Sequence, residues 1–378
     1  MDRTGSTESW SGARQKFAES PLVVIWEVTR ACDLACVHCR ASAIPLRETG
    51  ELTTAEGLAL VRQVREFGRP VFVLTGGDPL KRDDIFDLIR AAADAGLPAY
   101  MSPSGTPLLT HAGLLKARDS GLHGVSISLD GSNEEIHDRF RGVRGSFRLS
   151  LDAAASAVAL GLRLQINTTL TRHNLKDLPA IAELVGSLEA QRWTVFLLVP
   201  TGRALSGQQV SPEECESAFA WLYEMSKTAP FRIKTTEGPH YRRVALQRSG
   251  TPLHRAGSTV VTGTGSGGGR FVPGMNDGSG FLFISSKGVI HPSGFLPLPA
   301  GNVRTDSLAR VYREHPLFVA LRDPERLSGR CGRCEFRAVC GGSRARAFAL
   351  TGDVLAEDPA CAYEPQGAVG DSAGMESN

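Results

Sequence analysis

From residue 23 to about residue 200 the chain switches repeatedly between two hydrophobic periods. Short apolar runs rich in β-branched residues alternate with longer segments whose apolar residues recur every three or four positions. VVIWEVT (23–29), VFVLTG (71–76), AYMSPSG (99–105), GVSISLDG (124–131), RLQINTT (163–169) and TVFLLVP (194–200) read as strands. Segments 53–68, 83–96, 110–120, 147–160 and 177–189 read as helices between them. The first opens on a Thr53–Glu56 capping box and the second stops at Gly96. Repeated strand–helix units need crossover connections, and these demand a parallel sheet with helices outside. The pattern therefore predicts an α/β chain, a partial (β/α)6 barrel, since six units are too few to close an eight-stranded one.

After residue 201 the rhythm changes. Residues 211–229 form one more helix, capped by Ser211 and Glu214. Residues 263–280 are glycine-rich, and 280–297 read as a hairpin turning at Lys287–Gly288. The predicted organisation is a polar tail at 1–20, the partial barrel at 21–210, and a helix with a glycine-rich linker at 211–280. A small C-terminal unit follows at 281–364, then a second tail at 365–378.

Composition narrows the function classes. A net charge of +2 in 378 residues gives no electrostatic case for nucleic acid or a membrane surface. No apolar run approaches the length that spans a bilayer. The first 20 residues lack the apolar stretch of a secretion signal, which points to the cytoplasm. There, clustered cysteines are metal ligands or reactive thiols more often than disulfides.

Seven of the eight cysteines fall in two groups. Cys32, Cys36 and Cys39 follow the first strand, spaced by three residues and then two. Three thiolates on one short loop can hold three irons of a cubane cluster and leave the fourth open to an external chelate. With His38 as a fourth ligand the same loop also suits zinc. TGGDP (75–79) follows the second strand and LDG (129–131) the fourth, so all three motifs gather on the rim formed by the strands' carboxyl ends.

CxxxCxxC after strand one, with GGDP after strand two, resembles the radical S-adenosylmethionine (SAM) superfamily over about 23–201. The resemblance implies that Cys32, Cys36 and Cys39 bind a [4Fe–4S] cluster whose open iron is chelated by the amino and carboxylate groups of SAM. Gly76, Gly77, Asp78 and Pro79 match the motif that holds the amino group, with Asp78 where the family more often has Glu. His38 stands where an aromatic residue packs near the adenine. Ser128, Asp130, Arg141 and Asn167 sit where ribose or carboxylate contacts are needed; each reads equally as a turn or strand-end hydrogen-bonding group. In such enzymes one electron from the reduced cluster cleaves SAM to methionine and a 5′-deoxyadenosyl radical. That radical removes hydrogen from an unactivated C–H. An electron donor such as flavodoxin or ferredoxin is implied.

Cys331, Cys334, Cys340 and Cys361 resemble the SPASM or twitch extension of many such enzymes and imply one auxiliary [4Fe–4S] cluster. Ser293 and Arg344 stand where the full two-cluster pattern carries cysteine. A zinc ribbon is the alternative. Cys215 on the capped helix reads either as a hydrogen-atom donor or as a buried helix residue.

WEVTRACDLACVHCRA together with CGGSRARA and TGD is most similar to the radical SAM enzymes of alternative haem biosynthesis and nitrite-reductase haem maturation. This implies oxidative decarboxylation or side-chain modification of a tetrapyrrole. Propionates call for arginines, with Arg203, Arg242, Arg243, Arg344 and Arg346 as candidates, and His240, Tyr241 or His291 as groups near a haem iron. The alternatives are a ribosomal peptide maturase, a sugar or nucleoside tailoring enzyme, and a non-catalytic iron–sulfur electron carrier, against which the GGDP motif argues.

Overall fold

The computed structural model describes residues 17–250, 260–262, 269–271 and 274–366. The predicted tails fall largely outside these residues, at 1–16 and 367–378, as does much of the glycine-rich stretch. Seven strands run in chain order through the sheet: β1 (Val23–Thr29), β2 (Val71–Gly76), β3 (Ala99–Met101), β4 (Gly124–Ser128), β5 (Arg163–Leu170), β6 (Arg192–Leu197) and β7 (Arg232–Thr236). All six neighbouring pairs are parallel. The connecting helices are α1 (Thr54–Arg65), α2 (Ile85–Asp94), α3 (His111–Asp119), α4 (Glu134–Arg141), α5 (Ser146–Ala159), α6 (Leu178–Ser187) and α7 (Pro212–Ser226). Both predicted capping boxes form, Thr53 with Glu56 and Ser211 with Glu214.

The sheet is wider than six strands, and it continues across the boundaries drawn at 210 and 281. A small antiparallel pair, β8 (Val260–Thr262) and β9 (Gly269–Phe271), stands apart from it. The predicted hairpin, β10 (Phe281–Ile284) and β11 (Val289–His291), with β12 (Gly301–Asn302) beyond it, adds to the main sheet. Here β10 lies parallel to β1. Eight parallel strands thus run β10–β1–β2–β3–β4–β5–β6–β7, and their two ends approach each other: Lys234 Nζ on β7 is 5.4 Å from the ring centre of Phe281 on β10.

Alternation along the strands explains the layering. On β1, Val24, Trp26 and Val28 are fully buried under the helices, whereas Val23 and Ile25 point the other way and are half-buried. Trp26 lies so close beneath α1 that a Cβ on Gly57 would meet its indole at 2.7 Å. The half-buried faces curl around a central hollow. Beyond β7 come α8 (His240–Ser249) and, after the hairpin, α9 (Leu308–Glu314), α10 (Pro316–Arg322), α11 (Gly329–Arg333) and α12 (Arg344–Thr351). Arg346 on α12 donates to the carbonyls of Leu198 and Glu237, seating the C-terminal block on the carboxyl ends of β6 and β7.

Candidate active site

The hollow has a volume of about 960 Å3 and is bordered at one end by Cys32, Cys36 and Cys39. Their loop is pinned from several sides. The Cys32 amide donates to Ile44 O (2.8 Å), and the Ile44 amide to Arg30 O (3.1 Å). Arg30 reaches across the loop to the carbonyls of Ala41 and Ser42. The C-terminal end of α4 docks from below, where Arg141 O and Phe140 O accept from the amides of Ala35 and Val37. After β6, the Arg203 side chain donates to Cys36 O and Ala43 O, each at 3.0 Å.

The thiols meet donors. Leu34 N lies 3.3 Å from Cys32 Sγ, Ala43 N lies 3.4 Å from Cys39 Sγ, and Arg141 Nη1 lies 3.9 Å from Cys36 Sγ. Burial pushes the Cys32 and Cys36 thiols up, and the Arg141 guanidinium pulls Cys36 back towards the thiolate. Three thiols on one braced loop, bordering a hollow and offered N–H and guanidinium donors, would suit an anionic iron–sulfur cluster.

Gly76 and Gly77 face the same hollow, and neither can carry a side chain. A Cβ would meet Thr29 O at 2.3 Å and Ala31 O at 2.4 Å respectively. Asp78 and Pro79 lie behind this wall. The Asp78 carboxylate is fully buried, accepts from Thr106 Oγ1 (2.7 Å) and Leu80 N (3.2 Å), and so holds the turn rather than facing a ligand. Its motif partners therefore present backbone, and Asp78 shapes it.

His38 borders the hollow and stacks on Phe140 at 4.1 Å, which in turn stacks on His173. Burial and the nearby Arg141 and Arg203 hold its imidazole neutral, well below the usual histidine range. Ser128 and Asn167 are register partners on β4 and β5 and both face the cavity. Arg141 faces it too. Asp130 does not; fully buried, it ion-pairs with Arg141 and accepts from Thr169 N (2.6 Å), which positions the guanidinium.

Most of the candidate substrate arginines are engaged elsewhere. Arg203 braces the cysteine loop. Arg344 donates to the carbonyls of Gly342, Val354 and Ala356, and Arg346 forms a buried ion pair with Asp358. Arg243 pairs with Glu216 beside the second cysteine group. Arg242 alone of the five borders the large hollow, with donors committed to Val339 O and Met275 O. His240 is buried against Asp358, Tyr241 lies in the core, and His291 packs beside Phe283, so none of the three borders the large hollow. Cys215 is also core and borders neither hollow, so it is not placed to pass hydrogen to a cavity ligand; burial pushes its thiol up to about 12.

Several wall residues carried no sequence signal. His137 faces the hollow from α4; burial lowers it to about 3, and its Nδ1 accepts from Asp130 N. Glu237 also faces it, held well above the usual carboxylate range by burial and by the neighbouring Asp277. Arg192, Arg232 and Lys234 line the β6–β7 side. Their clue was the alternation on the inner face of those strands, visible only once each strand is oriented.

Cys331, Cys334, Cys340 and Cys361 border a second, smaller hollow. Cys331 Sγ receives Asp358 N (3.4 Å) and Arg344 Nη2 (3.8 Å), and Cys340 Sγ receives Gly342 N (3.5 Å). Among the described residues no three His, Cys, Asp or Glu side chains close on one point as ligands of a single metal ion would. No helix of the described residues is long and apolar enough to cross a membrane.

A model of the radical SAM superfamily matches residues 26–185. The chain belongs to that superfamily; it is an enzyme whose cofactors are a [4Fe–4S] cluster and SAM. It is 42% identical over 346 residues to the AdoMet-dependent heme synthase of Oleidesulfovibrio alaskensis, covering 91% of this chain and 88% of that one. It is 40% identical over 349 residues to the AdoMet-dependent heme synthase of Methanosarcina barkeri, covering 92% and 98%. In structure it resembles Streptococcus suis SuiB bound to S-adenosylmethionine, with a TM-score of 0.70 at 16% identity over 91% of this chain and 78% of that one, a likeness of fold.

Proposed function

We propose that this enzyme acts on an iron porphyrin, removing hydrogen from a propionate side chain so that the side chain is oxidatively decarboxylated. The similarity to heme synthases over 91–92% of the chain carries this reading. The hollow supports it: one wall is apolar, with Val23, Ile25, Val71, Val73, Phe281 and Phe283, as the face of a macrocycle requires, and the facing strands are polar and cationic.

Cys32, Cys36 and Cys39 would hold the [4Fe–4S] cluster, which with SAM supplies a 5′-deoxyadenosyl radical. The backbone of Gly76 and Gly77 would receive the methionine end of SAM, His38 would stack near the adenine, and Ser128 and Asn167 would meet the ribose. The cavity walls hold the substrate against the radical and keep water away. Loss of a hydrogen atom from the carbon next to the ring leaves a substrate radical. Breaking the bond to the carboxylate then releases CO2, leaves a vinyl group, and sends one electron to an acceptor. Cys331, Cys334, Cys340 and Cys361 would hold an auxiliary [4Fe–4S] cluster able to supply such an acceptor, and a carrier of the flavodoxin or ferredoxin type would deliver the initiating electron.

The test is 5′-deoxyadenosine formation by anaerobically reconstituted, reduced protein, with and without an iron porphyrin bearing propionates. Stimulated SAM cleavage with loss of CO2 from the porphyrin is the expected result. Cleavage that ignores the porphyrin would overturn the substrate and direct attention to peptides or sugars.

A further inference from the structure

The inner face of β5, β6 and β7 carries Arg163, Arg192, Arg232 and Lys234, all bordering the large hollow. Among the described residues none of the four forms an ion pair with a carboxylate. Arg163 donates to the Tyr100 hydroxyl (3.2 Å) and Arg192 to Gln165 Oε1 (3.3 Å). Among the described residues the Lys234 ammonium has no hydrogen-bond or ion-pair partner, and it lies over the ring of Phe281. Burial, Arg192 and Arg242 together lower its ammonium to about 8. A half-buried cation beside other cations on the wall of an open cavity is a site whose electrostatics an anion would complete.

Register says where that anion would sit. Ser128, Asn167, Thr194 and Lys234 are successive Cα partners, so they form one row across β4 to β7. Arg192 lies in the adjacent inner row, paired with Gln165 and Arg232. Two strand spacings separate Asn167 from Lys234, about 10 Å along the curved wall of the hollow. A ligand with its reacting C–H beside the ribose and a carboxylate about one macrocycle away reaches Lys234.

We propose that Lys234, backed by Arg192, binds a second carboxylate of the substrate, on the side of the hollow away from SAM, and so orients the molecule with its reacting side chain at the radical. This rests on the proposed function, because a porphyrin bearing propionates on opposite edges is the substrate class that presents one carboxylate to each end. Lysine suits the task as a compact charge that an arriving carboxylate can neutralise.

The experiment is an anaerobic absorbance titration of the cluster-loaded protein with an iron porphyrin bearing four propionates, and with the same porphyrin methyl-esterified. Wild type, Lys234→Met, Lys234→Arg and Arg192→Gln are compared. SAM cleavage without substrate and iron content serve as folding controls. We expect Lys234→Met to bind the acid on the order of ten- to a hundredfold more weakly. KM should rise more than kcat falls, Lys234→Arg should recover most of the affinity, and the ester should bind wild type and Lys234→Met alike. Should Lys234→Met not fold, Arg192→Gln is expected to show a smaller loss in the same direction. Unchanged acid affinity in both folded variants overturns the Lys234 assignment and leaves the porphyrin reading intact. Absence of porphyrin binding by the wild type overturns both.

Discussion

At the scale of single residues, the two motifs work through different parts of the residue. In the proposed cluster Cys36 acts through its thiol, so Cys36→Ala is expected to abolish SAM cleavage while the iron proposed for the C-terminal cysteines persists. Iron analysis and 5′-deoxyadenosine assay together check this, and retained cleavage would refute the assignment of the open cluster. Gly77 acts through the absence of a side chain. In Gly77→Ala the new Cβ would fall 2.4 Å from Ala31 O and 2.6 Å from Arg30 O, both backbone, so the cysteine loop must shift. We expect a loss of about 1–3 kcal/mol in denaturant unfolding, with weaker SAM binding by equilibrium titration. Residue types at these positions were legible in the sequence. That Asp78 turns inward to Thr106 was not, because Thr106 lies on a loop 28 residues away and comes into reach only in the fold.

Among elements, α4 shows how a weak sequence signal can carry much of the site. EEIHDRFR is only eight residues long and strongly polar, with Ile136 and Phe140 four apart as its apolar pair; its N-terminus is capped by Asn133, whose side chain accepts from Ile136 N at 3.0 Å. The helix nonetheless delivers Phe140 to His38, His137 to the cavity wall, and Arg141 to Cys36. Arg141→Met would leave the fully buried Asp130 without its cation. We expect a cost of about 3–5 kcal/mol, most of it recovered in the Arg141→Met, Asp130→Asn double variant, as a thermodynamic cycle of denaturant unfolding would show. Equal losses in the single and double variants would mean that Arg141 acts through packing alone. Likewise β7 was missed because RIKTT is short and charged: its polar alternate residues face the hollow rather than solvent.

At the scale of the whole molecule, a buried ion-pair network helps to seat the C-terminal block. Arg346 and Asp358 are both fully buried, with Nη1–Oδ2 at 2.9 Å, and Asp358 also accepts from the amides of Ser343 and Ala360. Burial alone would raise the Asp358 carboxyl, but Arg346 and His240 outweigh it and hold it well below the usual carboxylate range. Its contribution is therefore complete above the unfolded aspartate value of about 3.9 and lost as pH falls towards the depressed folded value. Asp358→Asn is expected to cost about 3–5 kcal/mol near neutrality and to flatten the acid limb of a melting-temperature profile below about pH 4. An acid limb unchanged by the substitution would place the sensitivity elsewhere.

The sequence alone determined the local features: the strand and helix periods of 23–200, both capping boxes, the cysteine spacings and the order of motifs along the rim. Each depends on residues within a few positions of one another, where periodicity and turn chemistry act directly. Tertiary structure alone decided that β10 pairs with β1 across some 250 residues, widening the sheet to eight parallel strands. It also decided which arginines are free for a substrate, since a guanidinium spent on a carbonyl and one facing a cavity look alike in the sequence. The polar faces of β6 and β7 acquire their meaning in the same way: only when the sheet curls do they look inward at a shared hollow, with desolvation and neighbouring charge setting their chemistry.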